Sequence, residues 1–427
     1  MMPVEIPRNR YLNALINRKH NNFIKIVTGL RRVGKSYLIF TLFYNHLRSC
    51  GVDDTHILKI QLDRRKYQKY QNPDLFLSYI ESIVGDGTPR YEGEMYYILL
   101  DEVQLMEDFE SVLNTLIYYR NADVYVTGSN SKFLSTDVIT EFRGRGDEIH
   151  VYPLSFAEFL SVYDKEDRYR AFHEYMLYGG LPECVKSPSE EEKSAYLKKL
   201  FQETYLVDIL QRYHFRNTDE IATLLDIIAS DIGSLTNPLR IRNTFASVLS
   251  SSISQNTIAQ YLRAFEDAYL IKKAKRYDVR GRKYIGTPQK YYFEDTGIRN
   301  AQLNFRQIEE TYLMENVIYL ELCRRGFSVD VGVVNRIEKS DIGKCSKKQY
   351  EIDFVVNLGS RRYYIQSAFS IPDAEKRKQE TTPLLLAKDN FKKIVVVNDS
   401  ILVRHDNDGI TYLSIYDFLL NEDALDW

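Results

Sequence analysis

Residues Gly29 to Ser36 read Gly-Leu-Arg-Arg-Val-Gly-Lys-Ser, an unbroken match to the phosphate-loop spacing G-x-x-x-x-G-K-[S/T]. The flanks constrain the fold as much as the loop does. Phe23-Ile24-Lys25-Ile26-Val27-Thr28 before it is a β-type run, and Tyr37 to Phe43 after it reads as a helix buried against a sheet. Strand, glycine-bounded loop and helix N-terminus make an anion site, because backbone N–H groups converge where the helix dipole is positive. Gly29 and Gly34 permit the backbone angles that turn those groups inward. Lys35 is placed to reach the β and γ phosphates of a nucleotide and Ser36 to put its hydroxyl on Mg²⁺. The expected nucleotide-binding residues are Gly29, Arg31, Arg32, Val33, Gly34, Lys35, Ser36 and Tyr37.

A second motif lies where the first needs it. Tyr96-Tyr97-Ile98-Leu99-Leu100 is an apolar run of the kind a central parallel strand shows, and it ends in Asp101-Glu102. Asp101 would join Ser36 in the Mg²⁺ shell, and Glu102 would orient and polarise the water that attacks the γ-phosphate. Five strands are expected for a parallel sheet: Phe23–Thr28, Ile57–Leu62, Tyr96–Leu100, Asp123–Thr127 and Ile149–Tyr152. The fourth runs into Thr127-Gly128-Ser129-Asn130. Ser129 and Asn130 are candidates for sensing the γ-phosphate, and equally for capping the next helix. Arg143 and Arg145, just before the fifth strand, could stabilise transition-state charge or sit in a solvated basic turn. No N-K-x-D guanine-reading motif occurs, which favours ATP and ADP over guanine nucleotides.

A chain of 427 residues is too long for one ordinary core, so several domains are expected. No apolar run approaches a membrane span and the N-terminus is polar, so a cytoplasmic protein is expected, with no membrane partner. Four cysteines, Cys50, Cys184, Cys323 and Cys345, stand far apart with no C-x-x-C pair, against a zinc site or a disulfide framework.

Beyond an ATP-binding core over residues 1–152, three further domains are expected. Residues 153–215 read as a helical segment that opens with a capping box, Ser155 and Glu158, and contains the turn Tyr178-Gly179-Gly180-Leu181-Pro182. A lid over the nucleotide, with this turn at its hinge, and a plain helix–helix turn both fit. Residues 216–295 suggest three helices and a β-ribbon, a winged helix-turn-helix. The ribbon carries Lys272, Lys273, Lys275, Arg276, Arg280, Arg282, Lys283 and Lys290 over 271–290, with Asp278 as its one acid. It could lie on the phosphates of duplex DNA while Gln255, Asn256, Thr257 and Gln260 face the groove, or the module could dock protein partners. Residues 296–427 return to α/β. They comprise a helix, Leu313–Arg325, holding Glu315, adjacent strands Glu351–Val356 and Tyr363–Ala368, and a third strand Lys393–Asn398.

Taken in order, these blocks resemble a prokaryotic AAA+-like P-loop ATPase family of the additional-strand class. The resemblance rests on G-x-R-R-x-G-K-S at Gly29–Ser36, D-E-V-Q at Asp101–Gln104, T-G-S-N-S at Thr127–Ser131, Gly144-Arg145, P-L-S-F-x-E-F at Pro153–Phe159, and G-G-x-P at Gly179–Pro182. It implies an ATPase core, a winged helix and a C-terminal domain similar to the PD-(D/E)XK restriction-endonuclease fold. It also raises Arg145 as the residue acting on the γ-phosphate, within the chain or across an oligomer. The departure is in the last domain. Asp353 and Glu315 can stand for two nuclease acids, with Glu351 as a further one, but the E-x-K position reads Gln366-Ser367-Ala368. Neutral Gln is a poor Mg²⁺ ligand and Ala cannot replace an ammonium, so nuclease chemistry is not expected.

Overall fold

Strands Ile24–Thr28 (β1), Ile57–Gln61 (β2), Tyr96–Asp101 (β3), Ala122–Thr127 (β4) and Gly146–His150 (β5) form one all-parallel sheet in the order β2-β3-β4-β1-β5. The structure is a computed structural model that describes residues 6–91, 93–128, 146–163, 167–215, 217–249, 253–339, 345–399 and 403–427. Both β1 and β3 are buried along their full length, as befits strands covered on two faces, and Lys25, the one charge in β1, is buried against Asp123. On one face, helix Pro73–Val84 starts under an Asn72 cap and buries Phe76, Ile80 and Val84 at helical spacing. Helix Phe109–Leu116 packs beside it, over Ile26, Ile60, Ile98, Leu100 and Val126. The helix after the phosphate loop buries Leu38, Ile39, Leu42 and Phe43, with Phe43 against Tyr125 at 4.5 Å between ring centroids. The fifth strand lies earlier than expected. It pairs with β1 from Gly146 to His150, because Val151 and Tyr152 are drawn out of the ladder toward the loop and the N-terminal helix.

The chain divides into two compact units. One comprises residues 1–153 with 267–269, and the other the remainder. In the second unit, Ile271–Asp278 (β6), Lys283–Phe293 (β7), Ser328–Lys339 (β8), Cys345–Leu358 (β9), Arg361–Ala368 (β10), Lys392–Val397 (β11), Arg404–His405 (β12) and Ile410–Ser414 (β13) build one mixed sheet. Its order is β12-β13-β11-β10-β9-β8-β6-β7. The three helices Thr218–Ser230, Pro238–Leu249 and Gln255–Asp267 precede the β6–β7 hairpin. That hairpin is not a free wing, however: β6 pairs in parallel with β8, so the ribbon forms one edge of the C-terminal sheet. Helix Glu310–Arg324 covers one face through Leu313, Val317, Ile318 and Leu322, and helix Ala374–Leu386 lies on the other. Phe156, Phe159 and Phe172, from the segment read as a lid, share the first of these cores. Their apolar face is thereby committed to this unit. Among the described residues no helix is long and apolar enough to cross a membrane.

Ser155 and Glu158 form the capping box, each side chain accepting from the other's backbone N–H. The Gly179-Gly180 turn is built against Asp295, whose carboxylate accepts from the N–H groups of Gly180 at 2.8 Å and Ile298 at 3.0 Å. Burial pushes the Asp295 carboxyl up to about 6, against the pull of the backbone donors of Gly180, Ile298 and Gly297. Gly179 has φ +73°, and a Cβ there would stand 2.2 Å from Asp295 Oδ1. Gly179→Ala is therefore expected to cost at least ~2 kcal/mol, from overpacking together with a left-handed backbone. Chemical denaturation would show this, and a loss below ~0.5 kcal/mol would contradict the packing described.

Candidate nucleotide site

The first site grows from the carboxyl ends of the parallel strands. β1 has β4 on one side and β5 on the other, so the chain leaves it at a point where the strand order reverses, the usual place for a ligand in such sheets. Gly29 leaves β1 at φ +132°, and a Cβ on it would lie 2.2 Å from the Val151 carbonyl oxygen. Only glycine permits that approach. Arg32 at φ +71° and Gly34 at φ +95° complete the turn into the helix that starts at Lys35. Val33 and Lys35 are buried, whereas Arg32 is exposed and Tyr37 is on the surface edge of the helix. The Lys35 ammonium donates to the carbonyls of Gly29 at 2.8 Å and Leu30 at 3.0 Å, which holds it inside the loop.

β4 lies between β1 and β3, and this inserted strand brings Thr127 to the site. The Ser36 hydroxyl donates to Asp101 Oδ1 at 3.0 Å, and the Thr127 hydroxyl donates to the same oxygen. Gln61 Nε2, at the end of β2, approaches Asp101 Oδ2 at 3.4 Å. The Glu102 backbone N–H donates to Thr127 Oγ1 at 3.1 Å, and its carboxylate accepts from Gln104 Nε2. Glu102 sits at φ +52°, a left-handed conformation that costs a non-glycine residue about 1 kcal/mol and that clusters at functional sites. Thr28, the last residue of β1, donates to Glu148 Oε1 at 2.6 Å and lies 3.1 Å from His150 Nδ1.

The structure thus brings together Lys35, Ser36, Asp101 and Glu102, four residues 65 or more positions apart across the two motifs. The hydroxyl and carboxylate oxygens of Ser36 and Asp101 are the hard donors Mg²⁺ prefers, so these residues fit the ion. Sequence reasoning missed Gln61 and the direct part played by Thr127. Their signal was position alone, a polar residue at the tip of a strand that leads to the loop. Ser129, Asn130, Arg143 and Arg145 lie outside the described residues.

A second cluster, in the C-terminal sheet, carries the acids read as nuclease remnants. Helix Glu310–Arg324 is pinned to β7 by Asn316, whose side chain both accepts from and donates to the Phe293 backbone. That fixes Glu315 beside Lys290. The Lys290 ammonium lies 2.9 Å from Glu315 Oε1 and 2.8 Å from Glu351 Oε1, and the Tyr292 hydroxyl donates to Glu315 Oε1 at 2.6 Å. Asp353 accepts from the Ser367 N–H at 2.8 Å, and Gln366 Oε1 from the Asp353 N–H at 3.4 Å. Burial, then the neighbouring Glu315, pushes the Asp353 carboxyl well above the usual carboxylate range. Burial alone would pull the Lys290 ammonium down, but Glu315, Asp353 and Glu351 outweigh it and push it up.

A divalent metal does not fit this cluster, because an ammonium already lies among the carboxylates and Gln366 is spent on the backbone. Among the described residues no group of three or more His, Cys, Asp or Glu is arranged to hold a metal ion. No lysine in the Gln366 strand supplies a cation; the structure supplies one from β7 instead, and Ala368 is in the apolar core. The only sequence sign was a lysine at the head of the aromatic run Tyr291-Tyr292-Phe293.

A glycine-bounded loop on β1, with Ser36 and Asp101 joined at the mouth of a parallel sheet, defines a P-loop ATPase domain. Residues 21–160 match the family described as AAA domain, and residues 169–309 match a domain of unknown function, DUF8612. An uncharacterized protein of Haemophilus influenzae is 34% identical over 424 residues, 98% of this chain and 100% of that one. The chain belongs to the same family as that protein. An uncharacterized protein of Methanocaldococcus jannaschii is 26% identical over 398 residues, covering 88% of this chain and 83% of its own length. Among solved structures, a Walker-type ATPase of Pyrococcus abyssi is similar at a TM-score of 0.48 and 15% identity, over 70% of this chain and 96% of that one.

Proposed function

We propose that this protein binds MgATP, hydrolyses it slowly, and uses the nucleotide state as a switch or motor on duplex DNA. The observation that carries the ATPase reading is the convergence of Ser36, Thr127 and Gln61 on Asp101, with Glu102 one residue on. Mg²⁺ held by Ser36 and Asp101 would neutralise charge on the transferred phosphoryl group. Thr127 and Gln61 orient the Asp101 carboxylate. Gln104 holds the Glu102 carboxylate, which takes the proton of the attacking water. Lys35 binds the phosphates from within the loop. Arg145 is proposed to act on the γ-phosphate, in the same chain or across an oligomer, and Asn130 to sense it.

Glu102→Gln is expected to keep ATP affinity within a few-fold while turnover falls ~100-fold or more, as loss of a general base requires. Calorimetry and phosphate release measure the two separately. Unchanged turnover would remove Glu102 from the chemistry.

For the rest of the chain, the reading is a winged-helix-like helical segment joined to a nuclease-like sheet that does not cut DNA. Five of the eight ribbon cations serve the fold. Lys272 pairs with Glu294, Lys273 with Glu266 and Lys290 with its acids, while Arg276 donates to Gln349 and Arg280 to the carbonyls of Asn335 and Leu386. That internal use favours the alternative in which these domains dock protein partners. Arg282 and Lys283, exposed at the β6–β7 turn, favour DNA.

A further inference from the structure

β8 and β9 run for 12 and 14 residues, further than their neighbours follow. On one side β6 pairs with β8 only from Val331 to Val333, and on the other β10 pairs with β9 only from Phe354 to Leu358. From Val334 opposite Tyr350 onward, the two strands continue as a hairpin with no third strand among the described residues. Residues 340–344 lie outside the described residues. Such a two-stranded ribbon buries little and is marginal in water by itself.

The root is fixed. Arg280 donates to the Asn335 carbonyl at 3.2 Å, Arg276 to Gln349 Oε1 at 2.6 Å, and Gln349 Nε2 to Asn335 Oδ1 at 3.3 Å. Beyond it, Ile337 is 72% exposed, and Arg336, Lys347 and Lys348 are exposed too. Arg336 stands directly opposite Lys348, and Ile337 opposite Lys347. Like charges face to face across an antiparallel pair destabilise it by up to ~1 kcal/mol. Alternation puts Arg336 and Lys348 on one face of the ribbon and Lys347 on the other. The same Arg280 contact sets the β6–β7 turn, with Arg282 and Lys283, beside the root.

We propose that this ribbon is a DNA-binding arm that lies in the major groove of a duplex. A two-stranded ribbon fits the roughly 12 Å width of that groove. Cations on both faces suit a groove walled by phosphates on two sides, whereas a protein surface would meet one face. A polyanion around the ribbon relieves the repulsion between Arg336 and Lys348. The proposal rests on the DNA half of the function above and assigns it to residues outside the ribbon 271–290.

The test is anisotropy of a labelled duplex of about three helical turns, titrated with the full chain over a range of salt. Replacing Arg336, Lys347 and Lys348 by Gln together should weaken binding at least ~10-fold at low salt and reduce the salt slope by about two to three. The melting temperature should hold or rise, since a like-charge pair is removed. Arg336→Lys should bind as the wild type does. Wild-type binding with an unchanged slope in the triple variant would overturn the arm and leave DNA binding to other residues. No wild-type binding at low salt, with ATP or ADP, would overturn the DNA reading itself.

Discussion

Lys35→Ala is expected to lower ATP affinity by ~100-fold or more. The Lys35 ammonium is buried and held by two carbonyls of the loop, so it is positioned before any ligand arrives. A charge-assisted bond from such a donor is worth ~1.5–3 kcal/mol, and two phosphates share it; ~2.7 kcal/mol is a hundredfold. Gly29 and Leu30 are buried, so freeing their two carbonyls also costs stability, about 1–3 kcal/mol for each that stays unpaired. The affinity is therefore read on variant protein shown to be folded. Calorimetry with MgATP on wild type and variant decides the matter. Equal affinities would sink the phosphate-loop assignment, and an absence of ATP binding by the wild type would remove the ATPase reading altogether.

Lys290→Met should destabilise the second unit by ~3–5 kcal/mol near neutral pH, the cost of stripping a buried cation from its acids. Its folded-state affinity for the proton is raised above that of an unfolded lysine, so its contribution is fully present at neutral pH. It is lost only as pH climbs past the ordinary lysine range. In the variant the acids are left to repel one another. Asp353 is already pushed up in the native protein, so native-state protonation offers relief at low pH. A carboxyl raised in the folded state loses stability as pH rises above the unfolded value. The gap between wild type and Lys290→Met should therefore widen from about pH 5 to pH 8. Adding Glu315→Gln to the variant should recover at least ~1 kcal/mol, because both charges are then gone. Urea melts at the two pH values measure this, and a gap below ~1 kcal/mol at the upper one would show that Lys290 does not balance the cluster.

The first unit was legible because its signals are local. Gly29 to Ser36 declares loop, strand and helix within twenty residues, and the buried run before Asp101 declares a central strand. The strand tips carried the rest, though Ile149–Tyr152 was placed three residues late, because Val151 and Tyr152 continue the apolar pattern after pairing has ended. The second unit was legible only in pieces. Helices around Ile221–Ile228 and Ile258–Phe265 follow from spacing, and Glu315 and Asp353 sit on the elements expected. That β6 and β7 belong to the C-terminal sheet was not readable, since strand order depends on pairings between segments more than 50 residues apart.

By itself, then, the sequence determined the phosphate loop, the Asp101-Glu102 pair and the α/β class, because each is encoded in a run of neighbours whose backbone and side chains act together. Only the tertiary structure decided that Thr127 and Gln61 orient Asp101, and that five basic residues of the ribbon are bonded within the protein. It alone showed that Glu315, Glu351 and Asp353 have Lys290 for their cation. The physical reason is common to all three. A charge or hydroxyl is defined by what it faces across the sheet, and a one-dimensional pattern carries its identity but not its partner.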